Sequence, residues 1–456
     1  MAKNKSIKFK FPNLFKIEFL TISLLVLIGA FLRLQGVFAN SFAFTYDVGR
    51  DMLALWDIVH THKLLLIGFT TGLPGVFYGP WWYYLLLLPY IFSLGNPQGL
   101  AFTIALAGII MIISGFFLGN KIGGRFLGIS FASLVAVSPT LVTSQIWNPS
   151  LVPVFLILSL LALYNLYSEE KTNPRNYFVL GFLLALIIDL EIVFGILYMF
   201  GLILAIATIR NKKLSINSII SFTIGMLVIF SPRIIFEIRH QFLMTKSLFK
   251  FLTANDSSQN FNFTATILNR LDILFNQFNS TIALDNKFLG FTVIILIFIA
   301  IASFYRKTTD MDKKFIKTSL IILITFLIGL TVFNQVIWPH YLVGLPVIYL
   351  LLICISIKLI AQKTGNYIAS SLIICALFFV SLNPMSIVNN FSKPLWVGDT
   401  SVFRNQLEVV DYIYKESGKK KFKYVFYSHA GSDSTYKYLF KWHGLNKYNY
   451  TPDTEA

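Results

Sequence analysis

Along most of the chain, long apolar runs alternate with short polar links, and inside the runs polar residues are too sparse for the amphipathic periods of a water-soluble fold. A bilayer span needs about 20 mainly apolar residues, and an excess of Lys and Arg marks the cytoplasmic side. Starting inside with Lys3, Lys5, Lys8, Lys10 and Lys16, the pattern predicts a first helix over about 16–36. No small-residue cleavage site follows it, so it reads as an uncleaved span. A first outer loop, about 37–97, holds an interfacial helix near 49–61 and a short apolar piece near 82–94.

Further spans are expected at about 98–119, 126–143 and 151–167, and then two short helices within 176–209 that turn outside near Asp189. A span at about 215–232 leads to a second large outer loop, about 233–287. The last spans fall near 288–305, 317–334, 341–358 and 366–384, with Arg306 to Lys317, Lys358 and Lys363 in cytoplasmic links. The expected fold is an all-α polytopic membrane protein of about 11 transmembrane helices. Its N-terminus is cytoplasmic and its C-terminus extracytoplasmic. The membrane module covers 1–394, and 395–456 forms a small α/β cap outside, with a helical pattern from Val402 to Tyr414 and a strand-like run at Tyr424-Val425-Phe426-Tyr427.

Composition agrees with a bilayer environment: of 456 residues, 56% are hydrophobic and 13% charged, with a mean hydropathy of +0.69. A net charge of +17 would suggest nucleic acid in a soluble protein, but the basic residues cluster in the links, so nucleic acid is excluded as a partner. Cys354 and Cys375 sit inside apolar runs, without metal-ligand spacing or any sign of a disulfide. His60, His62, His429 and His443 show no tight metal spacing either. There is no internal repeat and no phosphate-cradling glycine loop, which argues against cytosolic ATP hydrolysis.

Chemistry concentrates in a few outer segments. Thr45-Tyr46-Asp47-Val48-Gly49-Arg50-Asp51 places acids at the membrane interface, where a carboxylate can take the proton of an attacking hydroxyl, or can cap the helix that follows. Gly75 to Tyr84, with Tyr78 and Tyr83, suits either a sugar platform or an interfacial aromatic belt. Asp189-Leu190-Glu191 interrupts an apolar stretch; Glu191 is either a functional intramembrane acid or part of a solvated turn. In Ser231 to His240, the spacing of Arg233, Glu237 and His240 places them at neighbouring helical positions. Arg233, Arg239 and His240 can contact a donor phosphate or ordinary lipid headgroups. His340 and Tyr341 open a span, as sugar contacts or belt residues.

Taken together, these segments resemble the GT-C superfamily, in particular its bacterial protein-mannosyltransferase-like and aminoarabinose-transferase-like group. The resemblance rests on Tyr46-Asp47 with Arg50, Gly79-Pro80-Trp81-Trp82-Tyr83-Tyr84, Ile146-Trp147-Asn148-Pro149, Pro232-Arg233 through Phe236-Glu237-Ile238-Arg239-His240, and Pro339-His340-Tyr341, which together cover most of the membrane region. It implies that Asp47 is the catalytic base or orients the acceptor; Glu191 is a second candidate acid on its intramembrane position alone, since relatives often carry a basic residue or histidine near its place. It also implies that Tyr46, Arg50, Tyr78, Tyr83, Trp147, Asn148, His340 and Tyr341 contact substrate. Three departures stand out. Val48 replaces a frequent second acid, and Gly79 stands where the aminoarabinose-transferase branch has a phosphate-contacting Lys. Asn148, which cannot act as a carboxylate base, occupies a second acidic position.

The implied reaction is inverting or retaining transfer of a sugar from a polyprenyl-phosphate donor to a glycan, lipid or protein hydroxyl at the outer face of a bacterial plasma membrane. No cofactor is expected, and with Val48 and Asn148 in place of acids the oxygen ligands are too few for a divalent metal. The span count alone would also suit a lipid or solute transporter or flippase. Such proteins more naturally carry internal symmetry and helices broken near the midplane, and neither is visible here.

Overall fold

In hydrocarbon every backbone N–H and C=O must be bonded within its own segment, so apolar runs of this length fold as helices. The computed structural model describes residues 13–169, 172–210, 215–253, 262–282, 286–333, 335–382, 399–418, 420–427 and 433–454. Among these, eight helices are long and apolar enough to cross a bilayer. They are α1 (Asn13–Phe38), α4 (Pro97–Gly123), α6 (Val152–Ser168, after a 3₁₀ turn at Asn148–Leu151), α8 (Ile192–Ile209), α9 (Ile216–Arg239), α12 (Lys287–Phe304), α13 (Asp310–Val332) and α14 (Leu345–Thr364). The other three expected spans are shorter: α5 (Arg125–Val137) has 13 residues, α7 (Pro174–Leu190) 17 and α15 (Tyr367–Leu382) 16. Helices α2 (Tyr46–Thr61), α3 (Trp81–Phe92), α10 (Leu243–Thr253) and α11 (Phe263–Ile282) belong to the two large loops.

Helix α14 is the centre of the bundle, with almost every residue from Leu345 to Leu359 buried. Because its surroundings are protein on all sides, it can carry Lys358, which the sequence placed in a cytoplasmic link. The ammonium is buried and bonded to both oxygens of Asp312 at 2.8 and 2.7 Å. Asp312 also accepts from the Thr308 and Thr309 hydroxyls at 2.8 and 2.6 Å, so the buried charges are paired and hydrogen-bonded.

Three further boundaries differ from expectation. Helix α5 stops at Val137 rather than near 143, since Pro139 disfavours a helical Ser138. Helix α9 continues through Pro232 to Arg239, which moves Arg233 from a loop into the helix. Helix α13 begins at Asp310, capped by Thr309, which accepts from the Asp312 amide, so Lys313, Lys314 and Lys317 are helical.

The two ends of the bundle differ in chemistry. At one end Lys121 lies over Tyr164, Lys314 donates to the Tyr167 carbonyl, and Lys358 meets Asp312. At the other end lie α2, α3, the α7–α8 break and the residues from 399 onward. There, α16 (Phe403–Glu416) is followed by a two-residue parallel pairing of Lys423-Tyr424 with Asp453-Thr454. Helix α17 (Ser434–Leu439) continues into wider π-helical turns as far as Tyr448. Of the expected strand run, only Tyr424 is paired. His429 and the proposed boundary near 395 lie outside the described residues.

Candidate active site

The first turn of α2 carries Tyr46, Asp47 and Arg50, and the one-turn spacing lets Arg50 reach back to Asp47 at 2.6 Å. The same guanidinium donates to Oδ1 of Asp51 through two nitrogens at 3.0 and 2.9 Å. The two acids are not equivalent: the Asp47 side chain is 30% exposed, that of Asp51 1%. Asp51 also accepts from the Trp82 indole at 2.8 Å and from the Tyr83 hydroxyl at 3.3 Å. Burial pushes its carboxyl up to about 6, against the opposing pull of Arg50. Asp51 therefore fixes Arg50, while Asp47 presents a partly exposed carboxylate at the protein surface. Tyr46, 52% exposed, opens onto the same surface.

A ring stack connects this group to a second one. The Arg50 guanidinium lies 3.8 Å from the centroid of Phe69, whose ring is 4.6 Å from that of Tyr78. Phe69 and Tyr78 face each other because residues 68–78 double back, with Gly68 and Tyr78 amides bonded across at 2.7 and 2.9 Å. Tyr78 donates to Oε2 of the buried Glu191 at 3.4 Å. Glu191 occupies the break between α7 and α8, the turn expected from the sequence, but it is buried there rather than solvated. Next to it, the Asn148 amide nitrogen donates to the Leu190 carbonyl. Oε1 of Glu191 and Oδ1 of Asn148 are buried acceptors without a protein partner.

Asp189 is the feature that sequence reasoning undervalued. Its carboxylate accepts from the Trp81 amide at 3.0 Å and pairs with Arg233 at 3.1 Å. A Cβ at position 79 would overlap this carboxylate, which explains the glycine there. Arg233 and Arg239 do not act as a pair: six residues apart on α9, they face different sides. Arg233 is mostly buried, and Arg239 and His240 are exposed. Glu237 does not join Arg233 either, because it caps α10 by accepting from the Met244 and Thr245 amides at 2.8 and 3.0 Å.

On the other side of Asn148, the Trp147 and His340 rings meet at 5.1 Å, and Tyr341 adjoins His340 at 4.6 Å. Trp147 and His340 line a cavity of about 250 Å³, together with Met111, Thr140, Ser150 and Gln277. Behind it lies Arg33, which donates to the Val135, Ala136 and Leu141 carbonyls at 3.2, 2.9 and 3.0 Å and so satisfies the end of α5. A lone arginine inside an apolar run was the available signal for it. Phe69 had only its turn-rich neighbourhood, Gly68 to Gly75.

This helical membrane bundle, with an interfacial acid, two acid-bound arginines and a polar break between two helices at one end, shares its fold with solved membrane transferases. The chain resembles the aminoarabinose transferase ArnT from Cupriavidus metallidurans bound to undecaprenyl phosphate, with a TM-score of 0.57 and 11% identity, over 97% of this chain and 90% of that one. The apo state of the same transferase gives 0.55 and 13% over the same shares. The oligosaccharyltransferase of Archaeoglobus fulgidus in complex with Zn and sulfate gives 0.51 and 14%, over 79% of this chain and 52% of that one. The chain thus spans about half the length of the archaeal enzyme. No protein-family model matches the chain, and no curated protein matches it by sequence.

Proposed function

We propose that this protein is a membrane glycosyltransferase that moves a sugar from a polyprenyl-phosphate donor to an acceptor hydroxyl on the extracytoplasmic face. The observation that carries the reading is the Asp47–Arg50–Asp51 group: one carboxylate is partly exposed and held by an arginine, which is itself anchored by a buried carboxylate. In the reaction the acceptor oxygen bonds to the anomeric carbon, the bond from that carbon to the phosphate oxygen breaks, and its electron pair leaves on the phosphate. Asp47 takes the hydroxyl proton or orients the hydroxyl.

The leaving phosphate needs positive charge. Arg233 pairs with Asp189, the carboxylate packed against Gly79, where the aminoarabinose-transferase branch carries its lysine, and the Nε of Arg233 has no hydrogen-bond partner in the protein. A guanidinium from α9 therefore takes over that contact, with Arg239 and His240 further out towards the headgroups. Tyr78, Glu191, Asn148, Trp147, His340 and Tyr341 receive the sugar, with two unpartnered acceptors available to its hydroxyls. Tyr46 and Tyr83 flank the acceptor side.

Asp47 and Asp51 already share Arg50, and Val48 and Asn148 offer no further carboxylate, so the reaction is taken to need no metal and activity to persist in EDTA. The Lys-rich opposite end supports placing this face outside, with the residues from 399 onward forming an outer cap. The test incubates the purified protein with a panel of polyprenyl-phosphate sugars and measures release of polyprenyl phosphate. No release with any donor, from a folded protein supplied with glycan, lipid and peptide acceptors, rules the reading out.

A further inference from the structure

The cap has no part in the chemistry above, yet it touches both helices that hold the Asp47 group. On one side it grips the segment leading into α2. The Phe44 amide donates to the Ser401 carbonyl at 2.7 Å, and the Phe403 and Arg404 amides donate to the Phe42 and Asn40 carbonyls, both at 3.0 Å. Ala43 and Val402 are the partners of this antiparallel bridge. The Phe403 ring packs against Phe42 and Phe44 at 5.0 and 5.3 Å. On the other side, the Tyr438 hydroxyl donates to the Gly95 carbonyl and the Trp442 indole to the Leu94 carbonyl at 2.9 Å, immediately after α3. Helix α3 begins with the Trp82 and Tyr83 that bond Asp51.

Between these anchors, α17 lies directly on the first turn of α2. A Cβ at position 49 would overlap the backbone of Ser434 and Thr435, which cannot swing aside as a side chain could. A helical glycine is less favourable than alanine by about 1 kcal/mol, so its presence here needs a reason, and the close approach supplies one. The first turn also lacks a side-chain cap from Thr45, so tertiary contacts must hold it. Further along α2, Lys441 meets Asp57 at 3.7 Å and lies over Trp56.

We infer that the cap is a clamp that sets the spacing of α2 against α3 and thereby the orientation of Asp47 and Arg50, with Gly49 as the positioning residue that makes the contact possible. The inference rests on Asp47 being the group that acts on the acceptor. It assigns the cap a role in kcat rather than in donor binding, because the proposed donor contacts, from Tyr78 and Asn148 to Glu191, Arg233 and His340, lie outside the cap.

The test uses the full-length protein with Cys375→Ser, the buried Cys354 being left in place. Ala43→Cys with Val402→Cys then reports docking through the rate of disulfide formation. Gly49→Ala and Gly49→Val should slow that cross-link progressively and lower kcat, by about 100-fold for valine if Asp47 moves by about 1 Å, with donor KM within about twofold. Trp442→Ala, remote from Asp47, should produce the same split between kcat and KM, which a general loss of folding would not. Slower cross-linking with wild-type kcat in either the Gly49→Val or the Trp442→Ala variant overturns the clamp, as does an unchanged cross-linking rate in both. Wild-type kcat in Asp47→Asn, by contrast, sinks the catalytic reading and leaves the cross-linking result to stand separately.

Discussion

Replacing Asp47 by Asn separates chemistry from stability more cleanly than any other change in the site. The amide keeps the shape and one hydrogen bond to Arg50 but cannot take a proton. Asp47 and Arg50 are each about 30% exposed, and ion pairs of that kind contribute about 0.2–1 kcal/mol, so the folded state should lose no more than that. Loss of a general base typically lowers the rate by about 10²–10⁴-fold, equivalent to about 3–5 kcal/mol in the barrier. The effect on kcat should therefore exceed the effect on stability several-fold. Asp51→Asn should cost stability as well as rate: it weakens four hydrogen bonds around a buried carboxylate, and unfolding should become easier by about 1–3 kcal/mol. The assay measures polyprenyl phosphate released in a single turnover, beside thermal unfolding of each variant, with Glu191→Gln in parallel. Near-wild-type kcat in a folded Asp47→Asn protein, with kcat lost in either of the other two, would make Asp47 a helix-terminal residue and move the base elsewhere.

The titration of Asp51 predicts an acid limb in kcat: as pH falls through about 6 the carboxyl gains a proton, Arg50 loses one of its two anionic anchors, and activity drops. A pH profile of Asp51→Asn should lack that limb; an unchanged limb would assign it to another group. Changing Arg233 and Arg239 together to Gln should raise donor KM more than it lowers kcat. Because Arg233→Gln leaves Asp189 buried without its counterion, at about 3–5 kcal/mol, adding Asp189→Asn should recover stability while donor KM stays high, and recovery of both would make Arg233 purely structural. Cysteines at 121 and 314 should label from the cytoplasmic side and one at 433 from outside; of the companion positions, Asn148 is buried, and Lys212 and Asp256 lie outside the described residues. Labelling of position 433 from the cytoplasm alone would invert the orientation.

Hydropathy by itself determined the helical bundle and the break near Asp189–Glu191, because a span must satisfy its own backbone and its length follows from the bilayer. The pairing of Asp47 with Arg50 was legible for a similar reason, since one helical turn brings the two residues together. Boundaries were less legible where propensity and context compete, as where α9 carries Pro232 and continues to Arg239. Only the tertiary structure decided which acid is buried. Trp82 reaches Asp51 across 31 residues, and Arg233 reaches Asp189 from another helix, so neither pairing leaves a period in the sequence. The same holds for Lys358, which reads as a cytoplasmic charge until α13 supplies Asp312, and for the cap, whose seat on Gly49 depends on two backbones nearly 400 residues apart in the chain. Local patterns register what a segment does with its own backbone and with the bilayer; the packing of distant helices determines which charges are paired and which carboxylates are buried.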